Sequence, residues 1–133
     1  MILEMREASH ESVFHRRVIE MCLFCDIVDG KIPSSKVYEN DKVLCFKDIK
    51  PATPVHVLIV PKKHFDDILD MAASADGKEA IADVMMAVPE VVKATGIDEG
   101  FRIINNCREF GGQTVQHVHF HILGGKKLSE KMV

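Results

Sequence analysis

Short apolar segments separated by polar turns run along most of the chain. Five segments have the alternation or the β-favouring composition expected of strands: Val37–Glu39, Val43–Phe46, His56–Val60, Phe101–Asn105 and Val115–Leu123. Asn40 and Asp41 lie between the first two segments, and these turn-forming residues predict a β-hairpin. The third segment ends at Pro61, a residue that cannot donate to a ladder.

Two helices interrupt this series of strands. A short helix is predicted over Phe65–Met71, and a longer one begins at an N-cap, either Ser74 or Asp76, and ends at Gly96. Pro89 falls inside the longer helix, so we expect a kink or a restart there. The order of strands and helices indicates an α+β fold with a mostly antiparallel sheet.

The length fits one domain with an additional N-terminal segment. The chain has 133 residues, of which 47% are hydrophobic, and this is sufficient for a single core. Residues 1–20 are polar and charged, with apolar positions at loosely helical spacing. We interpret residues 1–20 as an N-terminal extension, either a weakly docked helix or an accessory piece ahead of a domain over residues 21–133.

Charge and hydropathy exclude two classes of partner. The chain carries 17 Lys and Arg against 20 Asp and Glu, a net charge of −3, whereas a non-specific nucleic-acid binder needs a basic stripe. The longest apolar run, Val55–Val60, is interrupted by His56 and is too short to span a bilayer. Residues 1–3 are followed at once by charged residues, without the apolar region of a secretion signal. We therefore expect a cytoplasmic protein with no nucleic-acid or membrane partner.

Cys22 and Cys25 form a C-x-x-C pair, whereas Cys45 and Cys107 are isolated. Four cysteines are too few for a disulfide scaffold at this length. The pair supplies half of the four ligands that zinc prefers, and the absence of a second such pair in the sequence leaves histidines to supply the others. Two alternatives remain open: a pair of reduced thiols, or a redox motif, although the βαβ pattern typical of thioredoxin-like motifs is missing.

The most informative segment contains three histidines in alternation, His117, His119 and His121. On a strand, alternate residues share one face at a spacing of about 6.6 Å, so these rings lie together while Val118 and Phe120 face the core. Imidazole groups on one face are costly to bury unless a polar ligand or a metal meets them. The pattern therefore indicates a functional site.

A glycine pair precedes the histidines, and its neighbourhood favours a phosphate ligand. Gly111 and Gly112 allow a close approach of the backbone and can present amide donors to an anion. Thr114 adds a hydroxyl group. A neutral imidazole can act as a nucleophile at neutral pH, and a neighbouring imidazole can stabilise phosphoryl oxygens or protonate a leaving group.

The run His117-x-His119-x-His121, preceded by Gly-Gly-Gln-Thr-Val and followed by Gly124-Gly125, resembles the histidine triad nucleotide-binding (HIT) family. It is more similar to the Hint branch of nucleoside phosphoramidases than to the fragile-histidine-triad hydrolases. Two further blocks, Phe46-x-Asp48-Ile49-x-Pro51 and the segment from His56 to Pro61-Lys62-Lys63-His64, extend the similarity to about residues 22–128. Thr114 stands where the branch usually has Ser, and the tail lacks the Trp-Pro-Pro ending of animal members.

The resemblance implies roles for individual residues. His119 would be the nucleophile on the α-phosphorus, giving a nucleotidyl-histidine intermediate that water hydrolyses, and His121 and His56 would complete the catalytic group. The nucleotide would be contacted at the base by Phe24, Ile27, Phe46 and Ile49, at the ribose by Asp48, and around the phosphate by Asn106, Gly112, Gln113, Thr114, His119 and His121. A structural zinc ion would be bound by Cys22, Cys25, His64 and His117.

The resemblance also implies an assembly and an activity. A five-stranded sheet with one long and one short helix would be extended by pairing of two protomers into a homodimer. The expected reaction is hydrolysis of purine nucleoside phosphoramidates, with AMP or GMP linked to an amine, and no catalytic cofactor. Three alternatives remain open: hydrolysis of dinucleoside polyphosphates or nucleotidyl transfer, a non-enzymatic nucleotide-sensing module, and a hydrolase in which the triad binds a catalytic metal.

Overall fold

Three helices and five strands make up the part of the chain that the structure, a computed structural model, describes. It covers residues 22–133, so the extension expected over residues 1–20 lies outside the described residues. The strands are β1 Lys36–Glu39, β2 Val43–Lys47, β3 Val55–Pro61, β4 Arg102–Ile104 and β5 Phe120–Gly124. The helices are α1 Leu23–Val28, α2 Ile68–Ala72 and α3 Ala75–Thr95, with a 3₁₀ turn at Glu109–Gly111.

All strand pairs are antiparallel, in the order β1-β2-β3-β5-β4. The predicted hairpin is formed by β1 and β2, and Asn40 stabilises its turn because Oδ1 accepts hydrogen bonds from the amides of Lys42 (2.8 Å) and Val43 (3.0 Å). The prediction of an α+β fold with a five-stranded antiparallel sheet is confirmed.

Each face of the sheet carries its own apolar cluster. On one face, residues such as Cys45, Ile59 and Ile122 pack against α2 and α3. On the other face, Leu44, Leu58 and their neighbours pack against α1. Since alternate residues of a strand share a face, His56 lies on the α1 face with Leu58, and so does His121, which is paired directly with Leu58.

Helix α3 is bounded by the caps that its sequence predicts. Ser74 Oγ accepts a hydrogen bond from the amide of Gly77 (3.0 Å), and Gly96 ends the helix in the left-handed conformation at φ 74°. The helix does not restart at Pro89, so that part of the expectation is wrong. Pro89 lies on the solvent side, where the carbonyl that loses its amide partner is available to water.

Three elements differ from the sequence prediction. The last strand begins at Phe120 rather than Val115, because the preceding residues leave the ladder and the amide of Val118 donates to the carbonyl oxygen of Phe65 (2.8 Å). Helix α2 begins at Ile68 rather than Phe65, because Asp67 is its N-cap. The sequence predicts one long and one short helix and therefore misses α1. An apolar segment of six residues is too short for its hydrophobic periodicity to distinguish a helix from a strand.

Among residues 22–133, no helix is both long enough and apolar enough to cross a membrane.

Candidate active site and metal centre

The histidine rings lie side by side on the α1 face of the sheet. Ring centroids are 5.2 Å apart for His119 and His121 and 5.1 Å apart for His56 and His121. His121 belongs to β5, and His56 faces it from β3. His117 and His119 precede the ladder. The structure therefore brings together His56, His119 and His121, the group expected to be catalytic.

The backbone fixes the proton position on His119. Its Nδ1 lies 2.7 Å from the carbonyl oxygen of His117. A carbonyl oxygen can only accept a hydrogen bond, so Nδ1 carries the proton and donates it. In a neutral imidazole this leaves an unprotonated lone pair on Nε2. His119 thus has the tautomer that a nucleophile attacking through Nε2 requires.

A chain of hydrogen bonds fixes the next two rings in the same way. The amide of Ala52 donates to His56 Nδ1 (3.0 Å), which places the proton of His56 on Nε2. That Nε2–H donates to His121 Nδ1 (2.9 Å), and Asp48 Oδ2 lies 3.4 Å from the same nitrogen. His121 therefore carries its proton on Nε2, where it is available to a phosphoryl oxygen.

Burial keeps these rings neutral. Burial, together with the neighbouring rings of His119 and His56, lowers the pKa of His121 to about 4, with Asp48 opposing the shift. Burial also lowers the pKa of His119 and that of His56, with Asp48 opposing the shift in both. All three rings are consequently uncharged at neutral pH, as a nitrogen nucleophile and a neutral hydrogen-bond donor require.

Asp48, His56 and His121 bring three possible ligand atoms within 4.8 Å of one another, but the arrangement does not fit a metal ion. Zinc would need the lone pair of His56 Nε2. That nitrogen carries the ring proton, because Nδ1 accepts from Ala52. The three side chains satisfy one another by hydrogen bonds, which argues against the alternative of a triad-bound catalytic metal.

Two cysteines and two histidines meet at the start of α1. Cys22 Sγ lies 3.4 Å from His117 Nδ1, and Cys25 Sγ lies 3.3 Å from His64 Nδ1 and 3.5 Å from His117 Nδ1. The four ligand atoms lie within 4.8 Å of one another. These separations are close to the edges of a tetrahedron with metal–ligand bonds of about 2.0–2.3 Å.

Hydrogen bonds on the far side of each ring support the same set. His117 Nε2 donates to the carbonyl oxygen of Pro61 (2.8 Å), and His64 Nε2 donates to Asp66 Oδ1 (2.7 Å). Both bonds leave Nδ1 unprotonated and directed at the cysteines, as ligation requires. The residues Cys22, Cys25, His64 and His117 therefore fit a closed, four-coordinate zinc ion.

Most of the residues expected around the base form a buried wall next to His119. Phe24, Ile27 and Phe46 belong to one apolar cluster. The ring of Phe24 meets His119 edge-on at 5.0 Å and Phe46 at 5.6 Å. Ile49 differs from them, because it is 92% exposed.

The backbone amides of the glycine loop point into the loop, whereas the sequence predicts that they point outward to a ligand. The amides of Gly111 and Gln113 donate to the carbonyl oxygen of Arg108, and the amide of Gly112 donates to that of Glu109. The prediction that Gly111 and Gly112 present amides to an anion is therefore wrong for the structure as it stands, because these donors hold the loop together. Gly112 requires glycine for another reason, its φ of 87°.

The polar residues of this loop divide into exposed and buried. Thr114 is exposed and Asn106 is half-buried. Gln113 is only 6% exposed and uses its whole side chain within the protein. The sequence offers no signal for two further groups: Asn105, whose Nδ2 donates to the carbonyl oxygen of His119 (2.9 Å), and the pair of Arg108 with Asp67.

A cavity of about 490 Å³ lies beside Asp48 and His56, and Lys36 and Lys47 are also on its lining. A larger cavity of about 780 Å³ is formed by residues 96–102 and 125–128 and contains none of the histidines. Val55, Val57, Ala94 and Thr95 also line the smaller cavity, so it lies between the sheet and α3, and neither His119 nor His121 is on its lining.

Known proteins are similar to this chain in sequence and in fold. Protein HitA of Neisseria gonorrhoeae is 42% identical over 106 residues, 80% of this chain and 97% of its own length. A 14 kDa zinc-binding protein of Zea mays is 38% identical over 108 residues, 80% of this chain and 84% of its own. A solved HIT family hydrolase from Clostridium thermocellum superposes with a TM-score of 0.80 at 39% identity, covering 86% of this chain and 98% of that one. The HIT domain model matches residues 29–128. An antiparallel sheet that carries alternating histidines, together with these similarities, shows that the chain belongs to the HIT family.

Proposed function

We propose that the protein is a hydrolase of purine nucleoside phosphoramidates, compounds in which AMP or GMP is joined to an amine through a P–N bond. The observation that carries the proposal is the hydrogen bond from His119 Nδ1 to the carbonyl oxygen of His117. It holds the neutral ring with its nucleophilic Nε2 deprotonated, and no base is needed to activate it.

The reaction proceeds in two displacements. Nε2 of His119 attacks the α-phosphorus, the P–N bond breaks, and the amine departs with a proton taken from solvent. The ring of the intermediate carries a positive charge, because Nδ1 keeps its proton, and the carbonyl oxygen of His117 stabilises this charge. Water then attacks phosphorus, the bond to Nε2 breaks, and the proton of the water returns to solvent as AMP leaves.

Neighbouring residues orient the substrate. Nε2–H of His121 donates to a phosphoryl oxygen, and Thr114 and Asn106 contribute further contacts around the phosphate. Gly112 has no side chain and so allows the backbone to lie close to the phosphate. Asp48 accepts from the ribose hydroxyls. Phe24, Ile27 and Phe46 form one side of the base site, and Ile49 offers the base an apolar contact from its exposed position.

Covalent trapping tests the nucleophile. Wild-type protein is mixed with excess AMP-lysine and quenched within one turnover, and we expect a mass increase of one AMP on His119. His119→Ala is expected to lose the adduct and to reduce turnover by a thousandfold or more, on the order seen for a nucleophile. Gln116→Ala, an exposed position on the same segment, is the control. An adduct on another residue, or full turnover by His119→Ala, contradicts the proposal.

The choice of bond is a separate question from the nucleophile. The same histidine chemistry would cleave a dinucleoside polyphosphate or transfer the nucleotidyl group to another acceptor. We expect kcat/KM for AMP-lysine to exceed that for diadenosine polyphosphate. The reverse order would keep the nucleophile and replace the phosphoramidase by a dinucleotide hydrolase, whereas nucleotide binding without turnover of either substrate would favour the sensing module.

The proposal includes a structural zinc ion on Cys22, Cys25, His64 and His117. Their donor set supports it, and so does the name of the Zea mays relative. A zinc ion with four protein ligands has no open position for substrate, so it holds α1 and the segment before β5 in place. We expect one zinc per chain by elemental mass spectrometry of protein purified without added metal.

The proposal also includes a homodimer formed at the β4 edge of the sheet. Phe101 and Ile103 are partly exposed there, and Phe101 lines an apolar groove together with Val88, Pro89 and Val92 of α3. A second copy placed along β4 would cover this surface and extend the sheet. Light scattering after size exclusion is expected to give twice the chain mass, and Ile103→Lys is expected to shift it to the monomer.

A further inference from the structure

Arg108 has a backbone conformation that residues with a side chain rarely adopt. Its φ is 63° and its ψ is −178°, and it is the one residue other than glycine with a positive φ among residues 22–133. This region of conformational space is essentially restricted to glycine. Such a conformation persists only where surrounding contacts enforce it, and it occurs most often at functional sites.

Gln113 provides the first of these contacts. Its Oε1 accepts a hydrogen bond from the amide of Arg108 (2.7 Å), and its Nε2 donates to the carbonyl oxygens of Asp66 (2.6 Å) and Val115 (2.9 Å). The buried side-chain amide of Gln113 thus connects three segments: Arg108 at the start of the glycine loop, Val115 after its end, and Asp66 in the chain after β3. Every donor and acceptor of the side chain is occupied inside the protein.

Asp67 provides the second contact. Its Oδ2 accepts from Nε of Arg108 (2.8 Å), while Oδ1 accepts from the amide of Asp70 (2.8 Å) and caps α2. The Asp67 side chain is 7% exposed, whereas that of Arg108 is 63% exposed. A nearly buried carboxylate is therefore neutralised by an arginine that reaches in from the surface, and Arg108 is fixed at its side chain as well as its backbone.

The loop that these contacts shape leads into the catalytic histidines. The carbonyl oxygen of Arg108 accepts from the amides of Gly111 and Gln113, so the conformation of Arg108 determines the path of residues 108–114. Thr114 is the last residue of this segment, and His119 lies five residues further along the chain. A change at Arg108 displaces the phosphate-side groups without removing any of them.

We infer that Asp67 and Gln113 are positioning residues, which hold Arg108 in its glycine-like conformation so that the loop over residues 111–114 is preorganised for phosphoryl transfer at His119. The inference rests on the proposed function for its catalytic consequence. Neither residue touches the reacting atoms, and both act through the backbone of Arg108. Misplacement of a positioning loop by about 1 Å can cost on the order of a hundredfold in rate.

The first test uses Asp67→Asn, which keeps an oxygen to cap α2 and removes the charge that binds Arg108. We expect kcat for AMP-lysine to fall about ten- to a hundredfold, while the affinity for AMP changes less than threefold and zinc content stays at the wild-type value. Asp70→Asn is the matched control, since Asp70 accepts from the amide of Asp66 rather than from Arg108. We expect wild-type kcat for this control.

The second test is rescue by glycine. Arg108→Gly adopts the same backbone conformation without strain, so the double variant Asp67→Asn/Arg108→Gly is expected to have a kcat at least fivefold above that of Asp67→Asn alone. Equal values for the two would show that the loss in Asp67→Asn does not arise at the backbone of Arg108, and this would overturn the inference.

Amide hydrogen exchange distinguishes a failure of this inference from a failure of the proposed function. We expect faster exchange at residues 108–115 in Asp67→Asn and in Gln113→Ala, with protection of β3 unchanged. If wild-type protein fails to cleave AMP-lysine, the proposed activity is wrong and the exchange data alone decide the positioning role. Unchanged exchange at residues 108–115 overturns the inference whatever the activity.

Discussion

The carbonyl oxygen of His117 lies 2.7 Å from Nδ1 of His119, and the ring of the same His117 faces the two cysteines. One residue therefore serves two centres. Its side chain belongs to the proposed zinc ligand set, and its backbone fixes the tautomer of the proposed nucleophile. This relationship links the proposed zinc site to the proposed catalytic group.

Loss of a zinc ligand is expected to affect stability first. Cys25→Ser removes one of four ligands, so zinc content should fall well below one per chain. The free energy of unfolding should decrease by about 4 kcal/mol if wild-type protein is a thousandfold above its zinc Kd. Cys107→Ser, at a half-buried thiol outside the ligand set, is the control and should retain both properties. Wild-type stability in Cys25→Ser without zinc would contradict a structural metal.

His56 and His121 are expected to act as a unit. The hydrogen bond from His56 Nε2 holds the proton of His121 on its own Nε2, so removal of His56 frees His121 to change its tautomer, and removal of His121 leaves the Nε2 proton of His56 without this acceptor. His56→Ala and His121→Ala should each lower kcat/KM by about a hundredfold, in the range of positioned proton donors. The double variant should be little worse than the poorer single variant. Fully multiplicative losses would show that the two rings work independently.

Stability is expected to fall in mild acid because of His121. Its pKa in the folded protein is lowered to about 4 by burial, whereas an unfolded histidine titrates near 6.5. Between these values the unfolded chain binds a proton that the folded chain does not, so the free energy of unfolding decreases as pH falls from about 6.5 to about 4. No further loss from this group is expected below pH 4.

Urea unfolding of wild type and His121→Gln at several pH values measures this effect. Subtraction of the two curves cancels contributions from other groups, including the zinc ligands. The free energy of unfolding of wild type minus that of His121→Gln should decrease as pH falls from about 6.5 to about 4. Parallel curves between pH 6.5 and 4 would show that the pKa of His121 is not lowered by folding.

Gly77→Ala is expected to destabilise the protein, although alanine is ordinarily more stable than glycine in a helix. Alanine in a helix is ordinarily more stable than glycine by about 1 kcal/mol. A Cβ on Gly77 would lie 1.5 Å from the carbonyl oxygen of Met71, so α2 and α3 would have to separate. We expect destabilisation of about 1–3 kcal/mol by urea unfolding. Ala82→Gly, at an exposed position of α3, should show the ordinary cost of about 1 kcal/mol. Stabilisation by Gly77→Ala would disprove the close approach.

Local chemistry explains which parts of the fold could be predicted from the sequence. The hairpin depends on Asn40, and the ends of α3 depend on Ser74 and Gly96, so each signal lies within a few residues of the feature it sets. The alternation in the histidine run predicts that Phe120 and Ile122 face the core on α3's side, and they do. The length of the last strand depends instead on how many residues β3 and β4 offer as partners, which the segment itself does not encode.

Local sequence signals predict less of the candidate site than of the fold. Only the family resemblance predicts all four proposed zinc ligands, because Cys25 and His117 are 92 residues apart in the sequence. Arg108 and Asp67 are 41 residues apart, and neither has a local pattern that predicts the pairing or the unusual backbone. The amides of Gly111 and Gln113 point inward because the backbone conformation of Arg108 directs its carbonyl oxygen at them. Two adjacent glycines in the sequence do not predict this direction.

Cys22 is the N-cap of α1, because its Sγ accepts from the amide of Cys25 (3.2 Å), and it is also a member of the proposed zinc ligand set. A helix of six residues is too short to persist by itself in water, so α1 depends on what its first sulfur atom binds. A chelator should therefore open the peptide bonds around Phe24 to proteolytic cleavage before the sheet unfolds, and the first cut would release the ring of Phe24 from its contact with His119.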